Sequence, residues 1–141
     1  MNPVSEQVKD LLVAGGAGTF AGTSGWSIYI NDEPTTPDTV ITIYDAGGSK
    51  PQPFADHTLY PVEDVEIQLR VRARAFLTVC TKLETCINIL EGAGRFDDTE
   101  GSDSVHYLML KRSGAPIPLG KDEDERFIIT QNFRVLRQRT A

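Results

Sequence analysis

The sequence predicts one α+β domain over residues 1–141. It would hold a mostly antiparallel sheet of about five strands, with two helices packed on one face, in the order α-β-β-β-α-β-β. Three observations carry this. In "VEIQLRVRAR", Val65, Ile67, Leu69, Val71 and Ala73 alternate with Glu66, Gln68, Arg70, Arg72 and Arg74, the period of a strand with one buried face. The period then changes. Phe76, Val79, Cys80, Leu83, Ile87 and Leu90 recur at three and four residues, which predicts an amphipathic helix from Ala75 to Glu91. Only two helical stretches stand against five strand-like ones, and two helices can cover only one face of a sheet.

The elements follow in order. In "VSEQVKDLLVAG" Val4, Val8, Leu11 and Leu12 share a helical face, and Gly15-Gly16 end it. "GGAGTFAGTSG" reads as a flexible connector. Its "GAGTFA" has the shape of a dinucleotide fingerprint, but that motif needs a strand before it and a helix after it. Here a helix precedes, and the strand "WSIYIN" follows. Pro34 and Pro37 break the chain before the second strand, "TVITIYD". The third strand is the alternating run above. After the second helix come an acidic loop, "RFDDTEGSDS", and a strand, "VHYLMLKR". A Pro- and Gly-rich connection leads to the last strand, with Phe127, Ile129, Phe133 and Val135 on one face and Ile128 and Leu136 on the other.

"DAGGSKPQP" poses a chemical question, because glycines and a lysine after a strand can grip phosphate. The phosphate-binding loop needs GxxxxGK, then Ser or Thr, then a helix. Here Lys50 is followed at once by Pro51, and no helical pattern follows. The stretch reads as a turn, with positive φ at Gly47 or Gly48 and Asp45 accepting a backbone N–H. "KPQPFADHTLYP" then runs extended along the surface.

Charge and composition exclude further classes. A net charge of −6 does not suit a polyanion reader. No apolar run reaches membrane-spanning length, and the first residues lack a leader pattern, which leaves the chain in the cytosol where it is made. Cys80 and Cys86 stand six apart, without a CxxC pair or a neighbouring histidine, and read as free thiols with Cys80 packed inside. His57 and His106 are isolated. The carboxylates Asp32-Glu33, Asp97-Asp98 and Asp122 to Glu125 read as solvated loops. No catalytic residue, cofactor site or metal site is expected, and the chain is not read as an enzyme.

The order and spacing of "WSIYINDEPTTPDTVITIYDAGGSKPQP", "EIQLRVRAR" running into a helix, and "PLGKDEDERFIITQNFRVLR" resemble a family of tailed-bacteriophage proteins. These are the minor capsid or tail-completion proteins, and in particular the tail terminators of phages with long non-contractile tails. The resemblance runs from Val4 to Arg137. It implies an α+β subunit, in the virion, that assembles in the bacterial cytoplasm into a homo-hexameric ring. The ring caps the head-proximal end of the tail tube and stops its polymerisation. It then presents a surface to the head-tail connector, while DNA passes through without sequence-specific binding. The partners implied are further copies of the chain, the major tail tube protein and the connector, with no membrane. A head-tail joining protein at the connector is the alternative, and a small acidic enzyme a more distant one.

On that reading, the interface candidates are Asp45, Gly47 and Gly48 in one loop and Asp122, Glu123, Asp124 and Glu125 in another. Arg70, Arg72, Arg74, Arg134 and Arg137 form the opposing basic strand ends. An acidic side meeting a basic side suits head-to-tail contact. Reversing Arg72 and Arg74 to Glu would then block the ring without unfolding the domain. The isolated chain would be a monomer or a weak, salt-sensitive oligomer.

Overall fold

The computed structural model describes residues 2–52, 62–100 and 103–139. Helix α1 (Val4–Ala14) leads to strands β1 (Thr19–Phe20), β2 (Ser27–Ile30), β3 (Val40–Gln52) and β4 (Val62–Ala73). Helix α2 (Phe76–Gly92) follows, then β5 (Phe96–Glu100), β6 (Asp103–Arg112), β7 (Ile117–Lys121) and β8 (Phe127–Arg139). The stretch 53–61, read above as part of an extended surface run, and His57 within it lie outside the described residues.

The fold class differs from the expectation. The protein is mostly β, with eight strands in one curled mixed sheet, a half-barrel, and two helices. The strand order is β1-β2-β3-β4-β8-β6-β5, with β7 pairing the remaining edge of β8. β1–β2 and β2–β3 are parallel. Three strands escaped the sequence pattern for physical reasons. β1 is two residues long, too short for a period. β5 carries Asp97-Asp98 and pairs with β6 alone. β7, "IPLGK", is exposed throughout and contains a proline, which strands tolerate only at an edge.

The inner face carries the core. Ile41 and Ile43, then Ile67, Leu69 and Val71, then Ile129, Phe133 and Val135 meet Val4, Val8 and Leu12 of α1 and Val79, Leu83 and Leu90 of α2. Burying each such side chain contributes about 1.5–3 kcal/mol. α1 ends as its glycines predict. Gly16 takes φ +81, its N–H donates to Val13 O, and the Ala17 N–H donates to Leu12 O, so two otherwise unpaired carbonyls are satisfied.

The buried stripe of α2 is rotated from the expected one. Cys86 is fully buried, Cys80 half-buried and Phe76 exposed. α1 packs beside α2 on the Cys86 flank, where Gly15 lies against the Ile89 side chain and Lys82 donates to Ala17 O. That neighbour decides which cysteine is covered. Burial pushes the Cys86 thiol up to about 12. Thiol labelling of the native protein should therefore be fast at Cys80 and slow at Cys86, the reverse of the sequence expectation. Equal rates would mean that α1 does not stay docked.

The outer face is not bare. Because β2 and β3 run parallel, the chain between them, residues 31–39, must return along the sheet, and it crosses the outer face. Val40, Thr42, Ile128 and Thr130 are buried on this side. Ile128, on the face of the last strand opposite Phe127 and Ile129, is therefore part of the packed structure.

Candidate subunit interface

Most of the charged candidates find their partners inside the chain. Arg72 and Arg70 project from β4 onto the outer face, beneath the crossing segment. Arg72 is 3% exposed. Its guanidinium donates to a Glu33 carboxylate oxygen at 3.0 Å, to Pro37 O at 2.8 Å and to Asp38 O at 3.4 Å. Burial and the neighbouring Arg126 charge pull its pKa down, and Glu33 opposes them. Arg70 Nε lies 2.8 Å from the same carboxylate, a charge contact whose geometry falls short of a hydrogen bond.

Arg126 completes this clamp. It is 4% exposed, donates to Asp122 at 2.9 Å and Asp124 at 3.2 Å, and also reaches Thr35 O. Arg74, which is exposed, holds Asp38 at 2.7 Å and Asp124 O at 3.0 Å. The Arg74 guanidinium keeps the Asp38 carboxyl below its usual range.

The basic strand end and the acidic loop thus meet within one subunit. Asp122 orders the turn into β8 by accepting the N–H groups of Asp124 and Arg126, each at 3.0 Å. Glu125 sits at φ +64 and pairs with Lys121 at 3.2 Å, and Glu123 is exposed. Among the candidates, the fold gathers Arg70, Arg72, Arg74, Asp122 and Asp124 into one cluster. Sequence reasoning missed its other members, Glu33, Asp38 and Arg126. Two acids flanking prolines opposite an R-x-R strand is the signal they left.

The other candidates lie apart. Arg134 grips Asp64 with two nitrogens, at 2.8 and 2.6 Å, beside Gly48 in a shallow recess. Arg137 is 6% exposed. It donates to Glu63 at 2.8 Å and to Asn2 O at 2.7 Å, and despite its burial the Tyr107 hydroxyl and Glu63 hold its pKa up. Arg72 and Arg137 are consequently structural and closed to a neighbouring subunit.

Asp45 does accept a backbone N–H, but from the helix rather than the turn. Pro3, at the start of α1, offers no side-chain cap. Asp45 supplies one from the sheet, accepting Ser5 N–H at 3.2 Å and Ser5 Oγ–H at 2.7 Å, while Asn31 donates to it at 2.8 Å. Gly47 and Gly48 have φ of +85 and +145, as expected. They do not end the strand, however. β3 continues to Gln52, and the pairing with β4 slips between Asp45 and Gly48, so the glycines make a β-bulge.

A family model described as bacteriophage tail terminator protein matches residues 9–139. No curated protein matches the chain.

Proposed function

The chain belongs to the bacteriophage tail terminator family, and on that premise we propose that its copies close into a ring of six on the head-proximal end of a long non-contractile tail tube. The family is structural, and the chain is a phage tail component. The ring stops tube polymerisation and offers the surface on which the head connector docks. The observation that supports this is the family match, which runs along nearly the whole chain. The charge distribution supports it as well. Of 14 basic residues, Arg72, Arg126 and Arg137 are buried in intrachain contacts, in a chain of net charge −6. A negative surface repels phosphate, so DNA slides through a lumen without adhering.

Electron microscopy of cells infected by phage lacking this chain tests the reading. Overlong tails without heads are the expected outcome. Tails of normal length joined to heads would overturn it. Capture of the portal assembly instead of tube subunits by the purified chain would transfer the chain to the head-tail joint.

A further inference from the structure

We propose that the free edge of β6 is a docking site for an extended acidic segment of a partner protein, which adds to the sheet as one more strand. β5 covers one edge of β6 only from Asp103 to Tyr107. β6 runs on to Arg112, paired with β8 on its other side, and among the described residues no strand pairs the first edge beyond Tyr107. Leu108 to Arg112 therefore line a notch in the sheet. At about 3.4 Å per residue, the notch takes about five residues of extended chain. A groove of about 470 Å³ lies along it.

Three observations fix the chemistry of the occupant. The first is the backbone. The Arg112 N–H turns away from β8 and donates to a Glu91 carboxylate oxygen at 3.1 Å. Directions alternate along a strand, so Leu110 turns its N–H and C=O to the same open side. Glu91 shows that this edge receives a carboxylate. The Arg112 N–H, then its guanidinium and the charge of Lys111, hold the Glu91 carboxyl below its usual range. The second is charge. Arg95 and Lys111 line the groove, are exposed, and have no hydrogen-bond or ion-pair partner among the described residues. Lys111 stands near one end of the notch, and Arg95, just before β5, at the other. Two such bases beside an open strand edge, in a chain of net charge −6, favour a segment that brings carboxylates. The third is apolar surface. Met109 and Leu136 are register partners, each half-buried, and Leu136 lies on the face of β8 opposite the core residue Val135. An apolar side chain between two acids of the incoming strand would cover them.

The chain's own described edge strands do not supply this segment. β1 is two residues long, and β7 carries a proline and no acid. β5 is acidic, but Asp97 is held by His106, and Asp98 stands opposite the core residue Val105, on the inner face. The occupant is therefore a partner protein, and the site is independent of the ring proposed above.

A blocked peptide, Thr-Glu-Thr-Val-Thr-Glu-Thr, probes the site, since its acids can meet Lys111 and Arg95 with the valine over Met109. Fluorescence anisotropy of the labelled peptide at low salt should show binding to the full chain. Exchanging its glutamates for lysines should weaken binding at least about tenfold. Arg95→Glu with Lys111→Glu should do the same, after circular dichroism has confirmed folding. The same peptide N-methylated along its backbone keeps its charges but has no strand donors, and should also bind about tenfold more weakly. Hydrogen exchange at the Leu110 amide should be fast in the free chain and slow with the peptide bound. Failure of the glutamate peptide to bind overturns the proposal. Equal binding of the N-methylated peptide would reduce the site to charge attraction without an added strand, and overturns it as well. A Leu110 amide already slow in the dilute free chain would mean that the chain covers its own edge, and one that slows as the chain is concentrated would give the edge to a second copy. Either result ends the proposal. Should the charge reversal fail to fold, Arg95→Ala with Lys111→Ala replaces it, and binding as tight as that of the wild-type chain would sink the site.

Discussion

Arg72→Glu unfolds the domain. The side chain is 3% exposed, and its fork reaches one carboxylate and two carbonyls on the segment between β2 and β3. A glutamate there would sit against Glu33 and aim an acceptor at carbonyl oxygens. Removing one partner from a buried ion pair costs about 3–5 kcal/mol, because the other charge is left unpaired and out of water. Reversal adds repulsion, and typical domains have only about 5–15 kcal/mol to lose. Arg72→Ala should lower the urea midpoint by the equivalent of about 3 kcal/mol or more. Arg72→Lys should recover only part of it, because an ammonium cannot span the three acceptors that the guanidinium bridges. Arg74→Glu is the control. Arg74 is exposed, where water screens an ion pair, so its reversal should move the denaturation midpoint far less than Arg72→Ala does. Equal losses at Arg72 and Arg74 in chemical denaturation would sink the clamp. The double reversal therefore cannot serve as a clean test of ring contacts, as the sequence implied, since a missing ring would report a missing fold.

Legibility in the sequence followed burial and locality. β4, β8 and α2 repeat a pattern over ten or more residues because each faces one continuous core, and their ranges are readable from that pattern. β5 and β7 are edge strands with at most one covered face, so their composition reports solvent and they read as loops. The parallel pairing of β2 with β3 leaves no trace in either strand's sequence. It nevertheless decides the outer face, because it sends residues 31–39 across the sheet. The candidate site suffered most from this. Arg72 meets partners 34 to 39 residues away, and no local rule connects "RVRAR" with "EPTTPD". Charge alternation on β4 identified the right side chains and assigned them to the wrong partner. In α2, the sequence set the apolar stripe to within one residue's rotation. Only the position of α1 settles whether Cys80 or Cys86 lies beneath it.

Gly48→Val should be nearly as damaging as the loss of Arg72, and far worse than the same change at Gly47. Both glycines have positive φ, so both substitutions lose about 1 kcal/mol to backbone strain. They differ in what a side chain would meet. At Gly47 an added Cβ has nothing within 4 Å. At Gly48 it would lie 2.2 Å from Asp64 O and 2.7 Å from the Cα of Val65, both backbone atoms of the paired strand β4. Neither can rotate away, so β3 and β4 must separate. Overpacking of this kind typically costs about 1–3 kcal/mol, and the lost ladder bonds add to it. Even Gly48→Ala meets this clash, whereas Gly47→Ala meets none. The displacement would also reach Arg134, whose two bonds to Asp64 depend on the carbonyl-bearing residue staying in place. We expect Gly47→Ala to cost about 1 kcal/mol and Gly48→Ala about 3 kcal/mol, read from urea denaturation. Hydrogen exchange should speed up at the amides of β4 around Val65 in the Gly48 variants only. If the two alanine variants lose the same stability, the bulge does not bring Gly48 against β4, and the register of the β3–β4 pair beyond Asp45 is wrong.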